Sequence, residues 1–126
     1  MSKKALITGI TGMVGSHLAD FLLAQTDWDV YGVCRWRSPL DNVEHLLERA
    51  NKKDRLFFEY ADLNDEMSLI NVVHNVQPDY VFHLAAQSYP LTSFTAPIDT
   101  LNTNILGTAR LLEALHLEME REKDYH

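Results

Sequence analysis

The sequence predicts an α/β fold built on a doubly wound parallel sheet. Three observations lead there. Short β-rich apolar runs alternate with longer stretches of helical spacing. A glycine-rich turn separates the first run from the first helix. The fourth run is almost unbroken in apolar residues, as a strand covered on both faces is.

Taken in order, residues 5–8 (Ala-Leu-Ile-Thr) read as the first strand, and residues 9–15 as a turn opening a helix whose spacing is carried by Val14, Leu18, Phe21 and Leu22. Residues 29–35 form the second strand, and residues 41–50, with Val43, Leu46 and Leu47, a weak helix. Residues 55–60 are the third strand. An amphipathic helix over 64–76 carries Met67, Ile70, Val72 and Val73 and stops before Pro78. Residues 79–85 are the fourth strand, expected to be central. One last helix runs from about Pro97 to Glu120, followed by a frayed, charged tail. With right-handed crossovers this βαβαβαβα order gives strand order 3-2-1-4, the amino-terminal portion of a Rossmann-type sheet.

Composition bounds the function. The chain has 126 residues, 46% of them hydrophobic, which suits one globular domain spanning 1–126. Eleven Lys+Arg against 18 Asp+Glu leave a formal charge of -7, which argues against nucleic acid or an anionic membrane surface as partner. No apolar run approaches the ~20 residues of a membrane span, and the first residues are too short an apolar stretch for a signal peptide. Cys34 is the single cysteine, so no intramolecular disulfide forms and a cytoplasmic location is expected. The six histidines make no HExxH cluster, so no metal is expected, and His83 reads as a satisfied core histidine.

The most informative segment is Gly9-Ile10-Thr11-Gly12-Met13-Val14-Gly15, with glycines spaced GxxGxxG. Gly9 lets the chain turn off the strand, Gly12 lets a diphosphate approach the backbone, and Gly15 lets the helix close on the sheet. Amides from Thr11 to Gly15 at the helix start, with its positive dipole end, would face the phosphates. A nicotinamide dinucleotide is therefore the expected cofactor. Its selection is read at the end of the second strand, where NAD binders carry a carboxylate. Here the chain has Arg35, Arg37 and Ser38 instead, which favour a 2′-phosphate and hence NADP. After the fourth strand, the small residues of Leu84-Ala85-Ala86-Gln87-Ser88 leave room for a ribose. Asp62, after the third strand, could alternatively cap the next helix, with Asp65 competing.

The segments 8–15, 62–63, 84–88 and Asn104-Ile105-Leu106-Gly107-Thr108 resemble the NAD(P)-dependent epimerase/dehydratase family of the extended short-chain dehydrogenases/reductases. Residues 5–16, 76–88 and 93–115 look most like GDP-mannose 4,6-dehydratases, and the related GDP-4-keto-6-deoxymannose reductases share much of this pattern. The chain departs from the dehydratases at Met13-Val14, at Tyr89 and at Asp99, where they carry Gln-Asp, His and Tyr. The resemblance implies that Asp62 bonds the adenine amino group and that Leu63 packs on its ring. It implies a GDP-mannose-like substrate and a reaction in which hydride leaves sugar C4 for NADP+, water is lost across C5–C6, and hydride returns to C6.

The family's catalytic base lies in a Tyr-x-x-x-Lys pair, where the ammonium lowers the phenol pKa. No tyrosine here is followed four residues later by lysine. The expectation is an amino-terminal cofactor portion without catalytic residues, its catalytic segment and sugar lobe lying beyond His126, unable to turn over alone. A non-catalytic NADP-binding module is the alternative. A bare fourth-strand edge and a leucine-rich last helix predict self-association as a homo-oligomer.

Overall fold

In a computed structural model, residues 2–126 are described. Four strands, β1 (Lys4–Thr8), β2 (Asp29–Cys34), β3 (Leu56–Tyr60) and β4 (Tyr80–His83), form one sheet of order β3-β2-β1-β4. All pairings are parallel, with Ala5 opposite both Val30 and Tyr80. The expected topology is therefore observed.

Helices cover both faces. α1 (Met13–Gln25) follows β1; a 3-10 turn (Asp41–Leu46) leading into α2 (Leu47–Asn51) follows β2; α3 (Glu66–Val76) follows β3. Alternation along β1 divides the core, because successive side chains point to opposite faces. Ala5 and Ile7 pack with Ala19, Leu22 and Val43 on one side. Leu6 packs with Leu69, Val73, Leu111 and Ala114 on the other.

Several local expectations are corrected. In α1, Leu22 is buried as expected, but Val14 and Phe21 are each 60% exposed, and Gly15, Ser16, Ala19 and Leu23 complete the buried stripe. Met67 of α3 is likewise exposed, its place in the core taken by Leu69. β4 is an edge strand, not a central one, and its first residue, Tyr80, is exposed. Tyr80 instead stacks on Trp28, rings 4.8 Å apart.

The region after β4 is also more divided than expected. α4 (Pro90–Thr95) and α5 (Pro97–Leu101) are two short helices, each opened by its proline. A π-helical turn (Asn102–Leu106) then leads into α6 (Gly107–Arg121). The chain end is anchored, not frayed. Glu118 is buried against α3, accepting from His74 Nδ1 at 3.1 Å and Gln77 Nε2 at 2.9 Å. The Tyr125 hydroxyl donates to the Pro78 carbonyl.

Candidate functional site

A cleft of about 420 Å³ opens where the carboxyl ends of all four strands converge. It lies at the point where strand order reverses between β1 and β4, the usual ligand position in doubly wound sheets.

Its first wall is the turn leaving β1. Gly9 has φ +76°, and a Cβ there would meet the Ala85 nitrogen at 2.8 Å, so the position excludes other residues. The turn is fixed by Gly9 and Ile10 amides donating to Val33 O and by the Gly12 amide donating to Gly9 O. Asn42 Nδ2 donates to Thr11 O from the 3-10 segment. Gly15 is explained somewhat differently from the sequence reading. A Cβ there would lie 2.2 Å from Gly9 O, so the close approach is of α1 to the turn itself.

Gly12 is the N-cap of α1 and brings no side chain, so none caps this helix. Ser16 N donates to Gly12 O as the first helical bond. The amides of Met13, Val14 and Gly15 precede that bond and have no partner among the described residues. Met13, Val14 and Gly15, expected as site residues, do not line the cleft, and the Met13 and Val14 side chains are exposed; the start of α1 meets the cleft at Thr11 and Gly12.

The second wall comes from β2 and β3. Arg35 and Ser38 line the cleft, joined in a tight turn in which the Arg35 amide donates to Ser38 Oγ and Ser38 N donates back to Arg35 O. Arg37 is exposed and does not line it. Trp36 leans edge-on against Tyr60 at the sheet border. Of the two candidate caps, Asp65 caps α3 by accepting from Ser68 N. Asp62 instead accepts from Asn64 N at 2.9 Å and faces the cleft. Leu63 lines the cleft too, but is only 7% exposed and packs into the core against Gly107.

The third wall is the segment after β4, where Leu84, Ala85, Ala86, Gln87 and Ser88 all line the cleft. Asn104 holds it with a two-way pair, Oδ1 accepting from Gln87 N at 2.7 Å and Nδ2 donating to Gln87 O at 2.9 Å.

Sequence reasoning did not single out Thr8, Cys34, Ala61, Asn64 or Thr103 as cleft residues. Strand-end position would have found the first three; Thr103 comes from the π-helical turn, which leaves no sequence signal. Asp99 also lines the cleft. Burial raises the Cys34 thiol above its ordinary pKa, so it stands in this wall as a protonated, unreactive group.

Fold and cleft together define a Rossmann-type α/β domain with a cleft at the sheet's switch point. Comparison with known proteins narrows this. The profile of the family described as GDP-mannose 4,6 dehydratase matches residues 6–126, and the chain belongs to that family. Among its relatives, a GDP-mannose 4,6-dehydratase of Vibrio cholerae is 42% identical over 93% of this chain and 32% of its own length. One from Drosophila melanogaster is 40% identical over 90% of this chain and 29% of its own. The chain thus spans about a third of the curated relatives it matches. Among solved structures, a UDP-glucose 4-epimerase of Thermotoga maritima with UDP-glucose aligns with TM-score 0.73 and 30% identity, over 88% of this chain and 33% of that one. A Thermus thermophilus UDP-glucose 4-epimerase in complex with NAD aligns with TM-score 0.76 and 28% identity, over 91% and 34%.

Proposed function

We propose that residues 1–126 form the NADP-binding domain of a GDP-mannose 4,6-dehydratase. The observation that carries this is one cleft with the glycine turn opening α1 (Gly9, Thr11 and Gly12) on one wall and the Arg35–Ser38 turn on another. The residues fit the cofactor. Gly9 and Gly12 line the cleft without side chains, so backbone alone meets a diphosphate there. The amides of Met13, Val14 and Gly15, at the positive end of α1, suit its charge. The Arg35 guanidinium suits a ribose 2′-phosphate, and no carboxylate ends β2. Asp62 offers an acceptor for an adenine amino group, and the small residues after Leu84 leave room for the nicotinamide ribose.

When bound, the dinucleotide supplies a hydride acceptor. The chain's own residues bind and orient it. The proton transfers fall to a Tyr/Lys pair that no tyrosine here provides, so the chain alone is proposed not to turn over. A GDP-mannose-like nucleotide sugar is the proposed substrate of the whole enzyme, a homo-oligomer the proposed assembly, and the cytoplasm the proposed location. Support comes from family membership and, for location, from the finding that no helix among the described residues is long and apolar enough to cross a membrane.

Thermal shift with NADPH, NADH and GDP-mannose, each alone, tests the reading. NADPH is expected to stabilise most, by about 2.7 kcal/mol at a hundredfold excess over Kd. Arg35→Ala removes charge-assisted bonds of about 1.5–3 kcal/mol each, so NADPH affinity should fall tenfold or more while NADH is little affected. Arg37→Ala should change less. Greater stabilisation by NADH would overturn the NADP assignment, and conversion of GDP-mannose by the purified chain would overturn the binding-only role.

A further inference from the structure

We infer that His83 is a positioning residue of the cleft: a neutral imidazole, protonated at Nε2 alone, that ties β1 to α6 and so holds the segment 84–88 against the glycine turn. The proton positions follow from what surrounds the ring. On one side, Thr8 Oγ1 lies 3.0 Å from Leu84 N, 3.1 Å from Ala85 N and 2.7 Å from His83 Nδ1. Backbone amides only donate, and a hydroxyl oxygen has two acceptor positions and one proton. The Leu84 amide shares its hydrogen with Thr8 O at 3.2 Å, and the one acceptor within reach of the Thr8 hydroxyl among the described residues is Nδ1, so the Thr8 proton goes to Nδ1, which must be bare. On the other side, Thr108 Oγ1 donates to Asn104 O at 2.7 Å, since a carbonyl only accepts. Toward His83 Nε2, 3.0 Å away, that hydroxyl is therefore an acceptor, and Nε2 carries the hydrogen. Two independent neighbours demand the same tautomer. Burial also lowers the pKa of His83, in the direction that keeps it neutral.

The bridge has something to position. Thr8 grips the start of the 84–88 segment through two amides, and Asn104 grips it at Gln87. His83 connects the two anchors, through Thr8 on one side and through Thr108 and the Asn104 carbonyl on the other. Between them the Ala85 backbone sits so close to Gly9 that a Cβ there would meet it. A loosened bridge would shift one cleft wall against the other. Only the binding measurement below rests on the cleft being the NADP site.

Long-range nitrogen–proton NMR on the ¹⁵N-labelled chain reads the tautomer directly. The expected result is a neutral ring, protonated at Nε2 alone, at pH 7. An Nδ1-protonated ring, or a charged one at that pH, overturns the inference. His83→Asn keeps an acceptor near the Nδ1 position, whereas His83→Phe keeps ring volume and loses both bonds. The Leu84 and Ala85 amide resonances should stay near their original positions in the asparagine variant and move in the phenylalanine variant. NADPH affinity should fall about tenfold further in the latter, the equivalent of one net hydrogen bond. Equal amide shifts in the two variants overturn the positioning role. Should His83→Phe not fold, the tautomer of the unaltered chain still decides. If the unaltered chain binds no dinucleotide, the proposed function fails, while tautomer and amide shifts judge this inference separately.

Discussion

Outside the cleft, the buried carboxylate of Glu118 bears on stability. It sits in a run of alternating charges, Glu118-Met119-Glu120-Arg121-Glu122-Lys123, that reads as a solvated face, because only the partner helix makes one of those carboxylates different. Burial pushes its pKa up, but hydrogen bonds from Gln77 and His74, with the charges of His74 and Arg121, outweigh this and leave it below the ordinary 4.5. A lowered carboxylate pKa stabilises the fold at neutral pH, and that contribution disappears as pH falls through the folded value. Glu118→Ala should therefore cost about 1–3 kcal/mol at pH 7 in denaturant unfolding, through the stranded Gln77 and His74 donors. Its stability should also decline less than that of the original chain below about pH 4.3. Parallel acid curves for the two chains would refute the assignment. His83, by contrast, was legible as a satisfied core histidine, because a lone histidine in an apolar strand has few other fates. Which atoms satisfy it was not, since Thr8 and Thr108 lie 75 and 25 positions away.

Among the elements, the helix–turn contact at Gly15 is the least tolerant. Since a Cβ there would lie 2.2 Å from a backbone oxygen, Gly15→Ala should cost about 1–3 kcal/mol at the least and weaken NADPH binding, both measurable by thermal shift with and without ligand. Unaltered melting would show that α1 can slide away from the turn. The opposite sign is expected just after α2, where Lys53 is exposed with φ +51°. Lys53→Gly should raise stability by about 0.5–1 kcal/mol, because glycine adopts that conformation without a Cβ penalty. A lowered unfolding midpoint would count against it. Strands were legible here because buried β-rich runs bounded by turns have few other readings. Helical faces were legible only in part. Val14, Phe21 and Met67 have the right spacing and type, yet apolar identity does not say which of two adjacent stripes meets the sheet. Pro97 was read as a helix start, as it is, but Pro90 was not, since proline reads as readily as a break. The cleft residues were largely foreseen because strand ends and glycine spacing fix them. Arg37 was not distinguishable from Arg35, since a tight turn, not sequence, decides which of them faces inward.

Across the whole molecule, the region following β4 leaves large apolar side chains exposed. Phe94 is 83% exposed, Ile98 75%, and Ile105 and Leu112 about 60% each, all from the region following β4. Such a surface on a chain of this size favours self-association. Light scattering should show mass rising with concentration, and Phe94→Glu together with Ile98→Glu should suppress the rise. A constant monomer mass in the original chain would refute this. The π-helical turn imposes a different kind of constraint on the same region. Asn104 must reach Gln87 while Leu111, Ala114 and Glu118 face α3. Removing one residue from Asn102–Leu106 would restore ordinary winding but rotate everything downstream by roughly 100° relative to everything upstream. Both attachments could not then be kept, so this stretch is restricted in its length as strictly as in its composition, and single-residue deletions here should be far more harmful than most substitutions.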